Sequence, residues 1–315
     1  MQTATYLKAI ESGVDVVDVA LASMSGLTSQ PNFNSLVYSM EANSERHQPF
    51  DKASLNEFSN YWRDVREFYY PFESDLKAGT AEVYEHEIPG GQYSNLGPQA
   101  RGMGLEDHFE TIKYNYQHVN QMFGDIVKVT PSSKVVGDMA LFMTSNGYTP
   151  QDILDKGPEI SFPDSVKSFF RGELGQPHGG FPREMQNIVL KGEKPFTERP
   201  NAHLEPVDFD KEFAEFQEKY DEQCTLLDFL SYKLYPKVYD DFYRSQLEYG
   251  DVSRIPTPAF FFGLENNEEI LIEIDQGKTI IVQFLEMSEP DDDGIRTVFL
   301  KLNGQNRNIE VKDES

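Results

Sequence analysis

A chain of 315 residues with 38% hydrophobic and 13% aromatic content can bury two or three compact cores, which argues against wholesale disorder. Its formal charge of −25 repels phosphate backbones and anionic lipid, so nucleic acid and membrane surfaces are not expected as partners. The single cysteine, Cys224, excludes an internal disulfide and a cysteine-based zinc cluster, and it fits a reducing, cytoplasmic setting.

In chain order, Ala4, Leu7 and Ile10 recur at helical spacing, predicting a helix over residues 3–12 that Gly13 ends. Neither a cap nor a signal-peptide layout precedes it, so the chain is expected to begin partway through a larger fold. The β-branched run 14–21 (VDVVDVAL) reads as a short buried strand. Its exit, residues 22–31 (ASMSGLTSQP), is a loop of small and hydroxyl residues. Helix, strand and polar loop make one repeat of an α/β barrel or a doubly wound sheet. In both folds chemistry sits on the loop at the carboxyl end of a strand.

From about residue 34 to 249 the pattern turns helical. Leu55, Phe58, Trp62 and Val65 mark a helix over 54–69, with Ser54 and Glu57 as its capping box. Further helices are expected over 108–123, 134–146, 151–156, 163–170, 209–220, 226–235 and 236–242. Glycines at 124 and 147 close two of them. After residue 249 the period changes to two. Ile270/Ile272/Ile274, Ile280/Val282/Phe284 and Val298/Leu300/Leu302 predict three strands, with Ile309 and Val311 as a fourth. Gln276-Gly277, the acidic stretch 290–294 and Asn303-Gly304 supply the hairpin turns. So short a meander is expected to dock on something else.

Three segments are richer in glycine, proline and hydroxyls than a helical domain needs: 23–31 (SMSGLTSQP), 84–96 (YEHEIPGGQYSNL) and 128–138 (KVTPSSKVVGD). Singly, each is what an ordinary loop provides, since Pro-Gly-Gly offers positive-φ positions and Ser or Thr offers helix caps. Together and in this order they resemble the carboxyltransferase domain of the pyruvate carboxylase family. VNQMFGD (119–125), ISFPDSV (160–166), GQPHGGFP (175–182) and the tail from FFFGL (260–264) onward are similar as well. The α subunit of the sodium-pumping oxaloacetate decarboxylase shares the first two motifs. Gln92-Tyr93, the Pro-Ser-Ser-Lys after Thr130 and the β tail favour pyruvate carboxylase.

The resemblance implies an α/β barrel remnant, the last strand of a TIM barrel, over residues 1–45. A mainly helical funnel domain over 46–250 and a small antiparallel β domain for allostery or tetramerization over 251–315 follow. It implies that Thr28 relays a proton between pyruvate and biotin, while Ser25 and Gln30 bind substrate or orient the loop. A hydroxyl that both donates and accepts can pass a proton without holding charge. Biotin, Mn or Zn, and ATP with Mg serve the whole enzyme, which is a homotetramer feeding oxaloacetate to anaplerosis and gluconeogenesis. Pyruvate or oxaloacetate and a biotin carrier domain are the implied partners.

The family's His-x-His metal pair does not occur among His47, His86, His108, His118, His178 and His203. Glu85-His86-Glu87 is a weak metal signal, and His86 is read as structural. The isolated chain is therefore expected to be inactive, the alternative role being an interaction or assembly module.

Overall fold

A computed structural model describes residues 2–43, 46, 49–74 and 76–313; His47 and the expected domain limits at 45 and 315 lie outside them. The chain forms two compact units, 1–205 and 206–315.

The first unit runs through α1 (Gln2–Glu11), α2 (Phe33–Asn43), α3 (Lys52–Arg66), α4 (Val83–His86), α5 (Gly90–Gly102), α6 (Phe109–Met122), α7 (Ser132–Asn146), α8 (Pro150–Lys156), α9 (Asp164–Arg171) and α10 (Arg183–Leu190). Its core lies where α5 to α10 meet. Ile112, Tyr116 and Val119 on α6 and Val136, Met139 and Met143 on α7 recur every three or four residues, and all are fully buried. Phe123 packs edge-on to Phe170 at 4.9 Å and stacks on Phe169 at 5.6 Å. Truncating such a buried ring to alanine would cost about 3–5 kcal/mol, which makes this core a stiff platform. Gly147 closes α7 in the left-handed conformation at φ 68°. Thr149 then starts α8 with a reciprocal capping box to Asp152.

The cap of α3 is Asp51, whose carboxylate accepts from the Ala53 and Ser54 amides, and not the expected Ser54. Nor was α5 expected. Gly90, Gly91, Gly97 and Pro98 give it poor helix propensity, and it is held by Gln92, Leu96 and Ala100, which are buried one turn apart.

The expected strand over 14–21 does not form. The segment has one isolated parallel bridge, Ala20 to Asn32, and Val16 is 82% exposed. A buried parallel strand is defined by ladder partners on both edges, and none lies beside 15–19 among the described residues. Val14, Val17 and Val19 instead line an open apolar groove of ≈ 400 Å³ with Ile10, Leu36 and Phe50.

The second unit contains α11 (Phe209–Lys219), α12 (Leu226–Leu234), α13 (Pro236–Tyr249), α14 (Thr257–Phe262) and strands β1 (Glu269–Asp275), β2 (Lys278–Met287), β3 (Ile295–Leu302) and β4 (Gln305–Lys312). Phe216, Phe229 and Tyr239 form the buried centre of α11 to α13. The strands make the expected antiparallel meander in the order β1-β2-β3-β4. Ile272 faces Ile280, Phe284 faces Leu300 and Val298 faces Ile309. Asn303 and Gly304, at φ 49° and 81°, make the two-residue turn that the sequence predicts.

The amides of residues 15–19 have no acceptor among the described residues, so they are expected to exchange with deuterium far faster than those of α6 and α7. Slow exchange throughout 14–21, measured by NMR, would instead mean that a strand exists there.

Candidate functional site

The loop carrying Thr28 is closed at its base. The Ala20 amide donates to the Pro31 carbonyl at 3.1 Å, and the Phe33 amide donates to the Ala20 carbonyl at 2.8 Å. Inside it, Gly26 N–H donates to Gln30 C=O at 3.1 Å and Ser29 N–H to Gly26 C=O at 2.8 Å. Gly26 and Leu27 are both left-handed, at φ 84° and 50°, which turns the chain sharply just before Thr28.

Neighbouring helices hold this turn from outside. On α1, Gln2 Nε2 donates to the carbonyls of Leu27 (3.2 Å) and Ser29 (3.0 Å), one on each side of Thr28. Ser59 on α3 accepts from the Ser23 amide at 3.1 Å, and Asn34 on α2 accepts from the Ala22 amide at 3.1 Å. The Arg66 guanidinium donates to the Ser23 carbonyl while pairing with Glu73. The side-chain hydrogen bond from Arg66 holds the Glu73 carboxyl below its ordinary range.

Thr28 lies between two clefts. One, ≈ 510 Å³, is formed with Tyr6, Thr80, Tyr84, His86 and Tyr93. The other, ≈ 480 Å³, is formed with Trp62, Arg66, Tyr69 and Phe72. Among the described residues the Thr28 hydroxyl has no hydrogen-bond partner, so both its donor and its acceptor capacity are available. Ser25, in the second cleft, donates its hydroxyl to the Ala22 carbonyl at 3.0 Å. Gln30 is exposed; its backbone carbonyl closes the loop and its residue lines the first cleft.

The second sequence segment reaches Thr28 through its glycines. Neither Gly90 nor Gly91 has positive φ, contrary to the turn expected there; they begin α5. At Gly90 a β-carbon would lie 2.6 Å from the Thr28 carbonyl oxygen and 3.1 Å from its Cα, so the two backbones are in direct contact.

Behind this contact the second and third segments are locked together. Glu87, left-handed at φ 61°, takes a salt bridge from Lys128 at 2.9 Å and a hydrogen bond from Asn120 at 3.1 Å. The Lys128 hydrogen bond keeps the Glu87 carboxyl below its usual range. The buried Gln92 amide lies where a β-carbon of Gly137 would be, 2.5 Å away. Gln2, Arg66 and Gly90 carry no chemical signature of a site.

His86 is buried, its Nδ1 accepting from the Ile88 amide at 2.9 Å and its ring 5.3 Å from that of Tyr93. Nδ1 as acceptor places the neutral ring's proton on Nε2. Burial, then the charge of Lys113, push its pKa below the ordinary value. Among the described residues no three His, Cys, Asp or Glu side chains converge on one point as a metal site.

The model of the conserved carboxylase domain family matches residues 83–283. The chain is 49% identical over 310 residues to pyruvate carboxylase of Bacillus subtilis (strain 168), covering 98% of this chain and 27% of that protein. Among solved structures, it superposes on the carboxyl transferase domain of Rhizobium etli pyruvate carboxylase with a TM-score of 0.91. That match has 48% identity and covers 99% of this chain and 52% of the other. Against the complete multifunctional pyruvate carboxylase of Rhizobium etli the TM-score is 0.90 at 48% identity, over 98% of this chain and 30% of that one.

Fold and sequence thus define a carboxylase domain. The chain belongs to the conserved carboxylase domain family, and within it matches the carboxyl transferase part of pyruvate carboxylase. It spans about a quarter of the length of the curated relatives it matches.

Because the fold binds the His86 proton less tightly than the unfolded chain does, the pH dependence has a definite sign. As pH falls through the ordinary value of 6.5, the unfolded chain takes up a proton that the fold refuses. The stability linked to His86 is complete above that pH and is lost below it. Lys113 opposes protonation, while Glu82, Glu110 and Glu85 favour it more weakly than burial disfavours it. In His86→Asn the side-chain carbonyl replaces Nδ1 as acceptor without titrating. Its thermal midpoint should fall less than the parent's between about pH 7.5 and about pH 5.5. Parallel midpoint curves would rule out a buried neutral imidazole.

Proposed function

We propose that this chain supplies the proton-relay loop of a biotin-dependent carboxylase that converts pyruvate to oxaloacetate in the cytoplasm. The observation that carries the reading is the unpartnered Thr28 hydroxyl between two clefts, each large enough for a small reactant. Biotin, when delivered by its carrier domain, brings the carboxyl group to be transferred.

Thr28 accepts a proton through one lone pair and releases its own, so it ends each turnover unchanged. Gln2 and the Gly26–Ser29 turn hold that hydroxyl between the clefts. Ser25 stiffens the start of the turn, and Gln30 lines the first cleft. The described residues do not form a site for Mn or Zn, nor is a site for ATP with Mg expected in this segment. In this reading those groups belong to other parts of a homotetrameric enzyme. Residues 14–21 gain strand partners there as the last strand of a barrel, 46–250 form the funnel, and 251–315 contribute to assembly or allostery.

The test is a chimera in which this chain replaces the matching segment of the Bacillus subtilis enzyme, assayed for oxaloacetate. Thr28→Val keeps the shape and removes the hydroxyl; turnover should fall by about 10²–10⁴-fold, with Thr28→Ser retaining much of it. Undiminished turnover in the valine variant sinks the reading. The isolated chain, given biotin and Mn or Zn, is expected not to decarboxylate oxaloacetate.

A further inference from the structure

We infer that Gly90 is a positioning residue for Thr28: its missing side chain sets how far the relay loop stands from the helical core. This deepens the proposed relay and rests on it for its kinetic consequence, though not for its geometry.

Thr28 is fixed from two directions. Gln2 bonds the carbonyls on either side of it, and the Ala20–Pro31 and Gly26–Gln30 pairs close the loop. Facing it, α5 begins at Gly90 in direct backbone contact. An alanine methyl at 90 would meet the Thr28 carbonyl oxygen at 2.6 Å, its Cα at 3.1 Å and its carbonyl carbon at 3.2 Å.

All three atoms are backbone, so no side-chain rotation relieves the overlap. Either α5 or the turn must move. The helix is the stiffer partner: Gln92, Leu96 and Ala100 are buried, and Glu87, three residues before Gly90, is tied to Lys128 and Asn120. The turn consists of residues whose side chains are mostly solvent-facing or cleft-lining, and it yields. Its displacement carries the Thr28 hydroxyl away from the line between the two clefts. A shift of about 1 Å in a reacting group costs about 10²-fold in rate.

Gly97 provides an internal control on the same helix. It too lacks a side chain, but a β-carbon there meets nothing within 4 Å. Alanine at 97, directly before Pro98, strains α5 itself, so it reports what disturbing the helix does without a contact to the turn.

The experiment compares Gly90→Ala with Gly97→Ala. In the chain itself, amide NMR reports the environment of Leu27, Thr28 and Ser29, and thermal unfolding reports stability. In the Bacillus subtilis chimera, steady-state kinetics separate kcat from KM for pyruvate. Gly90→Ala should shift the Thr28 and Ser29 amides and lower kcat by about 10–100-fold with KM little changed. Gly97→Ala should leave kcat and those amides as in the parent.

Unmoved Thr28 and Ser29 amides in a folded Gly90→Ala chain overturn the inference. So does an undiminished kcat in that variant when Thr28→Val has already lost turnover. Should Gly90→Ala fail to fold, Lys128→Ala releases Glu87 and so the start of α5, with no bond of its own to the turn among the described residues. The inference then requires the Thr28 amide to move in that variant, and an unmoved amide overturns it. If Thr28→Val itself keeps full turnover, the relay reading has failed, and the amide shifts alone decide the positioning claim.

Discussion

A backbone contact between Gly90 and Thr28 joins the two parts of the first unit that matter most. On one side is a loop of small and hydroxyl residues with no core of its own. On the other is a helix anchored in a densely packed core of aromatic and aliphatic side chains. Dispersion contacts fall off so steeply that the loop's position is set to a few tenths of an ångström only where atoms touch. Hydrogen bonds from Gln2 give direction, and the contact with Gly90 gives distance. A hydroxyl able to both accept and donate is useful in proton transfer only when both are fixed.

Charge is deployed around this arrangement in a way the net value conceals. In so acidic a chain, Lys128, Lys113 and Arg66 are each drawn to carboxylates close to the site: Glu87, then Glu82 and Glu110, then Glu73. The lysine side chains of the first two pairs are largely covered, at 16% and 11% exposure, so water screens them less than the surface pairs elsewhere. Their effect is positional. Lys128 fixes the bend at Glu87 that aims the chain into α5, Lys113 lines one cleft with His86, and Arg66 reaches through to the loop carbonyl at Ser23.

Much of this was legible beforehand. The amphipathic helices around Tyr116 and Met139 and the meander from Ile270 to Val311 announce themselves, because burial on one face imposes a period of 3.6 or 2 on the apolar residues. Thr28, Ser25 and Gln30 stand out through the composition of their segment and its likeness to a family. The strand expected at residues 14–21 was a fair reading of β-branched residues, but a strand is a relation between segments and its partners are not among the described residues. Helix α5 was invisible for the opposite reason. Two glycines at its start and Gly97-Pro98 within it predict a loop, and only the burial of Gln92, Leu96 and Ala100 makes it a helix.

By itself, then, the sequence determined most of the helical and β segments and the family, and it singled out Thr28 by its hydroxyl and its segment, since each depends on local pattern or on residue chemistry. Tertiary structure alone decided that Gln2 and Gly90 hold that residue, that Arg66 braces its loop and that His86 is a buried neutral acceptor. Those facts arise between residues 26 to 62 positions apart in the chain in the case of Gln2 and Gly90 with Thr28, or from how completely a ring is shut away from water. Neither distance through space nor burial leaves a periodic trace in the order of amino acids.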